Sequence, residues 1–125
     1  MATLRPRVAV EPAHPDRHFA AILGLYKAHG WIHATDPARL RTAIACSSAS
    51  IVALDDSEVV GYARALSDEA FAVYIADILV RPDRQREGIG SALFRRSWTA
   101  TPWTSSTTRC WSQSAAPKAS TAATA

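Results

Sequence analysis

The sequence predicts an α/β fold built around a β-hairpin. Apolar runs rich in β-branched residues at 51–54, 59–66 and 71–80 are separated by short polar turns, the pattern of consecutive strands. Two stretches with apolar residues at helical spacing precede these runs, and one follows them. The 125 residues are enough for one compact domain and too few for two.

Arg7-Val8-Ala9-Val10 reads as a first short strand. His14-Pro15-Asp16 offers a helix start with Asp16 as N-cap. Phe19, Ile22, Leu23, Leu25 and Tyr26 follow at helical spacing, and Gly30 supplies the terminating glycine. Thr35-Asp36-Pro37 pairs a cap residue with proline at the first helical position, opening a second helix over residues 38–46. Its inward face carries Leu40, Ala43 and Ile44. Residues 51–54 and 59–66, joined by the turn Asp55-Asp56-Ser57-Glu58, predict a hairpin. After a turn at Ser67-Asp68-Glu69, residues 71–80 are almost wholly apolar, as in a central strand covered on both faces. A charged loop from Arg81 to Glu87 leads to Gly88-Ile89-Gly90 and a helix through Arg96.

Composition narrows the function classes. No run of about eighteen apolar residues occurs, which excludes a helical membrane span. The first residues lack the apolar segment of a secretory leader. Two cysteines, Cys46 and Cys110, make no disulfide framework, so a cytoplasmic protein with Cys46 as a buried thiol is expected. Residues 1–87 hold ten basic and eleven acidic side chains, whereas residues 88–125 hold four basic and none acidic. The basic end coincides with a change of composition, since 20 of residues 97–125 are Ser, Thr or Ala. Neither histidine pair, His14/His18 or His29/His33, sits within one predicted helix, so no metal site is expected.

The most informative stretch runs from Asp77 to Ser91: a strand, Pro82, then Gln85-Arg86-Glu87-Gly88-Ile89-Gly90, then a helix. This order suits an anion. Glycines permit a tight turn and close approach of the backbone. The unpaired amides at the helix start converge on one point where the helix dipole favours negative charge. Arg84 and Arg86 add positive field.

In these residues the sequence resembles the GCN5-related N-acetyltransferase (GNAT) superfamily. Its acetyl-CoA motif, [Gln/Arg]-x-x-Gly-x-[Gly/Ala], is matched by Gln85, Gly88 and Gly90, with Pro82 three residues before Gln85. The preceding order of strand, two helices, hairpin and long strand agrees. A Rossmann fingerprint is excluded because its third glycine and distal acid are missing. The resemblance implies a partial GNAT domain over residues 5–96. Its sheet is mixed and mostly antiparallel with helices on both faces, and the C-terminal strands and helix are missing. It implies an N-acetyltransferase carrying an acetyl group from acetyl-CoA to a primary amine of a small molecule or protein by direct attack. Backbone groups of Ile78, Leu79 and Val80 would pair with the pantetheine arm. Amides of Arg86, Glu87, Gly88, Ile89, Gly90 and Ser91 would cradle the pyrophosphate, beside Gln85.

Direct attack needs a base. Asp77 is the first candidate, because a carboxylate in an apolar strand is costly unless it is partnered or functional. The alternative for Asp77 is a salt bridge to Arg64. Glu69 is the second candidate. Tyr26 and Tyr62 read as core aromatics rather than as the acid, and Trp31 as packing between the first two helices. Residues 97–125 depart from the family. They lack acids and aliphatics and hold three tryptophans, which suggests an out-of-frame, disordered tail. An inactive truncated remnant, or a CoA- or phosphate-binding module without catalysis, is therefore the second function class. A nucleic-acid partner is not expected, because Asp83 and Glu87 interleave with the arginines of the loop. A sheet left open on one side favours poor solubility or a homodimer.

Overall fold

The computed structural model describes residues 7–100. The expectations for residues 101–125, Cys110 among them, lie outside the described residues. The elements are β1 (Val8–Pro12), α1 (Phe19–Ala28), α2 (Pro37–Cys46), β2 (Ala49–Asp55), β3 (Glu58–Ser67), β4 (Val73–Val80) and α3 (Ile89–Ala100). Single 3₁₀ turns occupy Ile32–Thr35 and Pro82–Arg84.

The four strands form one sheet in the order β1-β2-β3-β4, and every pairing among the described residues is antiparallel. Helices cover both faces. On one, α1 and α2 bury Phe19, Ile22, Leu25, Tyr26, Leu40 and Ile44 against Val52, Leu54, Tyr62 and Leu79. On the other, Ile89 and Leu93 of α3 meet Val8, Ile51, Ala53, Val60 and Ala63. The alternation of adjacent residues between these two cores is the period-two signature of strands buried on both sides. A bulge opposite Ala53 and Leu54 turns Gly61 toward α3. A Cβ there would stand 2.9 Å from Leu93 Cδ1 and 3.2 Å from the Leu79 carbonyl, so glycine is what lets α3 lie close to β3.

Local signals account for most boundaries. Asp36 accepts from the Arg39 amide at 3.1 Å, with Pro37 at the first helical position. At the end of α1, Gly30 has φ +68°, and the Gly30 and Trp31 amides return to the Lys27 and Tyr26 carbonyls.

Four expectations are corrected. Asp16 does not cap α1, which begins at Phe19 after a turn. Its carboxylate instead meets Arg41 at 3.2 Å, and His14 Nδ1 accepts from the Asp16 and Arg17 amides. The third apolar run is not central among the described strands, although its C-terminal half is covered on both faces, Leu79 toward α1 and α2 and Ile78 and Val80 toward α3. β4 lies at the edge of the described sheet and starts only at Val73, because the Asp68 carboxylate takes the amides of Ala70, Phe71 and Ala72 into a turn. Phe71 and Tyr74 are accordingly 92% and 66% exposed. Helix α3 continues one turn past Arg96, where Ser97 is buried and its hydroxyl donates to the Leu93 carbonyl. Cys46 is half-buried rather than buried.

Candidate active site

The loop between β4 and α3 is shaped by two residues in the left-handed region, Arg86 at φ +70° and Gly88 at φ +83°. It is tied down by Arg84. The Arg84 guanidinium donates to both carboxylate oxygens of Glu87 at 3.0–3.1 Å and to Asp55 at 2.9 Å. These bonds, Glu87 first and Asp55 second, hold its pKa above the ordinary arginine value. Asp55 is buried at the end of β2 and also receives Arg7 at 2.9 Å. The positive field expected from Arg84 is therefore spent inside the protein, while Arg86 is exposed.

Beside this loop opens a cavity of about 570 Å³, lined by His29, Ile78, Val80, Arg84, Gln85, Arg86, Gly88, Ile89, Gly90 and Ser91. Eight of the ten positions expected to hold the cofactor line it. The amides of Ile89, Gly90 and Ser91 open α3 and have no partner within the helix, so they are available to an anion in this space. Gly90 has room for a methyl group, since a Cβ would lie 3.7 Å from Val80 Cγ2.

The other two expected positions, Glu87 and Leu79, are not among the residues that line the cavity. Glu87 turns its carboxylate to Arg84. Leu79 is buried in the α1 and α2 core. The Arg81 amide bonds the Val60 carbonyl, and alternation along an antiparallel pair then directs the backbone groups of Leu79 at β3 and those of Ile78 and Val80 at the open edge. At that edge the Val80 carbonyl already accepts from His29 Nε2 at 2.8 Å and from Gln85 Nε2 at 3.4 Å. Because a carbonyl only accepts, His29 carries its proton on Nε2.

Asp77 is brought into a buried polar cluster. Its Oδ2 accepts from Arg64 Nε at 2.6 Å and from the Tyr26 hydroxyl at 2.7 Å, with His33 Nε2 at 3.8 Å. Arg64 is the register partner of Asp77 on β3. Burial opposes the charge on Arg64, but the bond to Asp77, the Asp77 charge and the Tyr26 hydroxyl together raise its pKa above the ordinary arginine value. Burial, and then the bond to Asp77, pushes the Tyr26 hydroxyl up. Burial pushes Tyr62 up to about 12. Both tyrosines are core residues, as the sequence indicated. Trp31 packs edge-on against Tyr26 at 5.8 Å, at the junction of the first two helices.

Glu69 lies apart from this cluster. It occupies the β3–β4 turn with φ +63°, and its Oε1 is buried without a hydrogen-bond partner among the described residues. The five residues of β4 from Val73 to Asp77, roughly 17 Å of strand, lie between its turn and Ile78, the first residue of the cavity. Sequence reasoning assigned no role here to His29 or His33. Their i, i+4 spacing suggested only a metal pair, and Gly30 breaks the helix between them.

The acetyltransferase (GNAT) family profile matches residues 11–97, and the chain belongs to that family. Among solved structures, a GNAT family acetyltransferase from Streptococcus pneumoniae is 26% identical, with a TM-score of 0.64 over 88% of this chain and 85% of that one. A GNAT family acetyltransferase from Brucella melitensis, solved in complex with acetyl-CoA, is 20% identical, with a TM-score of 0.58 over 76% and 68%. A glucosamine N-acetyltransferase region of a fungal multi-domain β-N-acetylglucosaminidase is 14% identical, with a TM-score of 0.69 over 85% of this chain and 13% of that one. Comparison with curated proteins gave no match. No described helix is long and apolar enough to cross a membrane.

Proposed function

We propose that the protein transfers the acetyl group of acetyl-CoA to a primary amine of a small molecule or protein by direct attack. The observation that carries this is the cavity where the first amides of α3 and the open edge of β4 meet. An anionic diphosphate fits the α3 end, where Gly88 and Arg86 bend the loop and the helix dipole is positive. An extended amide-bearing arm fits the edge, where the outward backbone groups of Ile78 and the Val80 amide are available for strand-like pairing. The acetyl-CoA bound in the Brucella melitensis relative supports the same ligand here. When bound, acetyl-CoA supplies a thioester carbonyl already activated toward an amine.

The chain's own part is to bind, orient and move protons. Gln85 and His29 hold the Val80 carbonyl and with it the end of β4. Of the two candidate carboxylates, Asp77 is the one set beside the β4 edge. Its Oδ2 is engaged by Arg64 and Tyr26, so its part is electrostatic, favouring positive charge on a neighbour.

Thermal unfolding with added acetyl-CoA tests the binding half. At about a hundredfold excess over Kd, linkage adds about 2.7 kcal/mol, which raises Tm by about 10 °C or more for a domain of this size. No rise at millimolar acetyl-CoA would overturn the reading. A rise without release of CoA thiol across a panel of primary amines would instead assign a CoA-binding module without catalysis.

A further inference from the structure

In the β4–α3 loop the non-glycine residue Arg86 adopts a left-handed φ of +70°. That conformation is costly for a side chain other than glycine and persists where the surroundings over-determine it. Arg86 itself is exposed, so its neighbours hold it. Arg84, two residues before, and Glu87, one residue after, are joined by a forked ion pair at 3.0–3.1 Å that closes the chain around Arg86. The same guanidinium ties this turn to the sheet, because its Nη1 donates to Asp55 Oδ2 at 2.9 Å. Three nitrogens of one planar group are thus engaged, which fixes its orientation. Asp55 is buried at the end of β2, is not among the residues lining the cavity, and receives Arg7 on its other oxygen. A second acid of the same hairpin, Glu58, meets Arg81 at 2.9 Å but is mostly exposed, where an ion pair contributes little.

We propose that Asp55 is a positioning residue for the cofactor, acting through Arg84 to hold the turn from Arg84 to Gly88 where the first amides of α3 can meet the diphosphate. This rests on the acetyl-CoA reading above. Positioning and direct electrostatics have opposite signs here, since a carboxylate by itself repels an anion. Arg7 and Arg84 balance the Asp55 charge, so little of it reaches the cavity. Arg84 lines the cavity, so its orientation bears directly on the shape of the site. Losing Asp55 therefore costs more in loop geometry than it returns in charge.

Calorimetric titration of the full chain with acetyl-CoA tests this. In Asp55→Asn the guanidinium keeps Glu87, and in Arg84→Met the Asp55 carboxylate keeps Arg7, so neither variant leaves a buried charge without a partner. Asp55→Asn should raise Kd about tenfold or more. In the Arg84→Met background the same change should add less than about twofold, because Asp55 acts through Arg84. Glu58→Gln removes an equal charge from the same hairpin and should stay within about threefold of wild type. With an amine that turns over, Asp55→Asn should raise KM for acetyl-CoA and leave kcat within about threefold. An unchanged or tighter Kd for Asp55→Asn, an effect that persists in Arg84→Met, an equal effect of Glu58→Gln, or a loss confined to kcat overturns the role of Asp55 alone. Wild-type protein that binds no acetyl-CoA overturns the cofactor reading, and the role of Asp55 with it.

Discussion

Replacing Arg64 by methionine removes the strongest partner of a buried charge. Asp77 is 7% exposed and the Arg64 side chain 13%, with Nε 2.6 Å from Oδ2. Breaking a pair this well buried costs about 3–5 kcal/mol, because the remaining carboxylate has lost water and keeps only the neutral Tyr26 hydroxyl as a donor. A domain holds about 5–15 kcal/mol in total, so the variant keeps a small margin. In urea, at an m-value of about 1–2 kcal/mol/M, the midpoint should fall by roughly 2–4 M at constant slope. The pair itself contributes much less than this, since an apolar replacement of both partners avoids the desolvation of two ions. Arg64→Met combined with Asp77→Leu should therefore recover most of the loss. A deficit of about 1–3 kcal/mol should remain from the Tyr26 hydroxyl, which then has no acceptor, and adding Tyr26→Phe should remove it. An Arg64→Met loss below about 1 kcal/mol, or a double variant no more stable than the single one, would refute the account of the cluster.

Two further predictions concern the loop and the tyrosines. Gly88→Ala places a Cβ at φ +83° and should cost about 1–2 kcal/mol and weaken acetyl-CoA binding about tenfold or more. Gly90→Ala meets only ordinary contact at 3.7 Å and should stay within about 0.5 kcal/mol of wild type. Equal urea midpoints and equal acetyl-CoA affinities for the two variants would contradict this. Tyr62 is pushed up to about 12 by burial, whereas an unfolded tyrosine ionises near about 10. The unfolded chain therefore loses its proton first, and stability should fall as pH rises from about 10 through about 12, by about 2–3 kcal/mol from Tyr62 alone. Tyr26 acts in the same direction. Urea midpoints across that range should fall less steeply for Tyr62→Phe, and parallel profiles would show that Tyr62 is not the source.

Much of the fold was legible because it is encoded locally. Asp36-Pro37 starts α2, Gly30 ends α1, and the apolar spacing of β2 and β3 marks a hairpin, each within a few residues of chain. The loop and helix start that line the cavity were legible for the same reason. They are contiguous from Gln85 to Ser91, and the chemistry of free amides needs no partner from elsewhere. The late start of β4 was not legible. An apolar run reports how much burial a strand tolerates, not which neighbours it is given, and the turn made by the Asp68 carboxylate removed Phe71 from the strand.

The sequence by itself determined the family, the order of elements and the residues of the loop and helix start that line the cavity, because spacing, caps and glycine torsions act over one or two turns of chain. Only the tertiary structure decided which way each residue faces and what it meets. A bulge at Ala53 and Leu54 changes the parity of β3 and aims Gly61 at α3. The alternation of the β3–β4 ladder assigns Leu79 to the core and Ile78 and Val80 to the open edge. Tyr26 meets Asp77 across 51 positions of sequence, and His33 comes to the same carboxylate from the turn between α1 and α2. Those contacts depend on register and packing between distant segments, and these are properties that no local pattern carries.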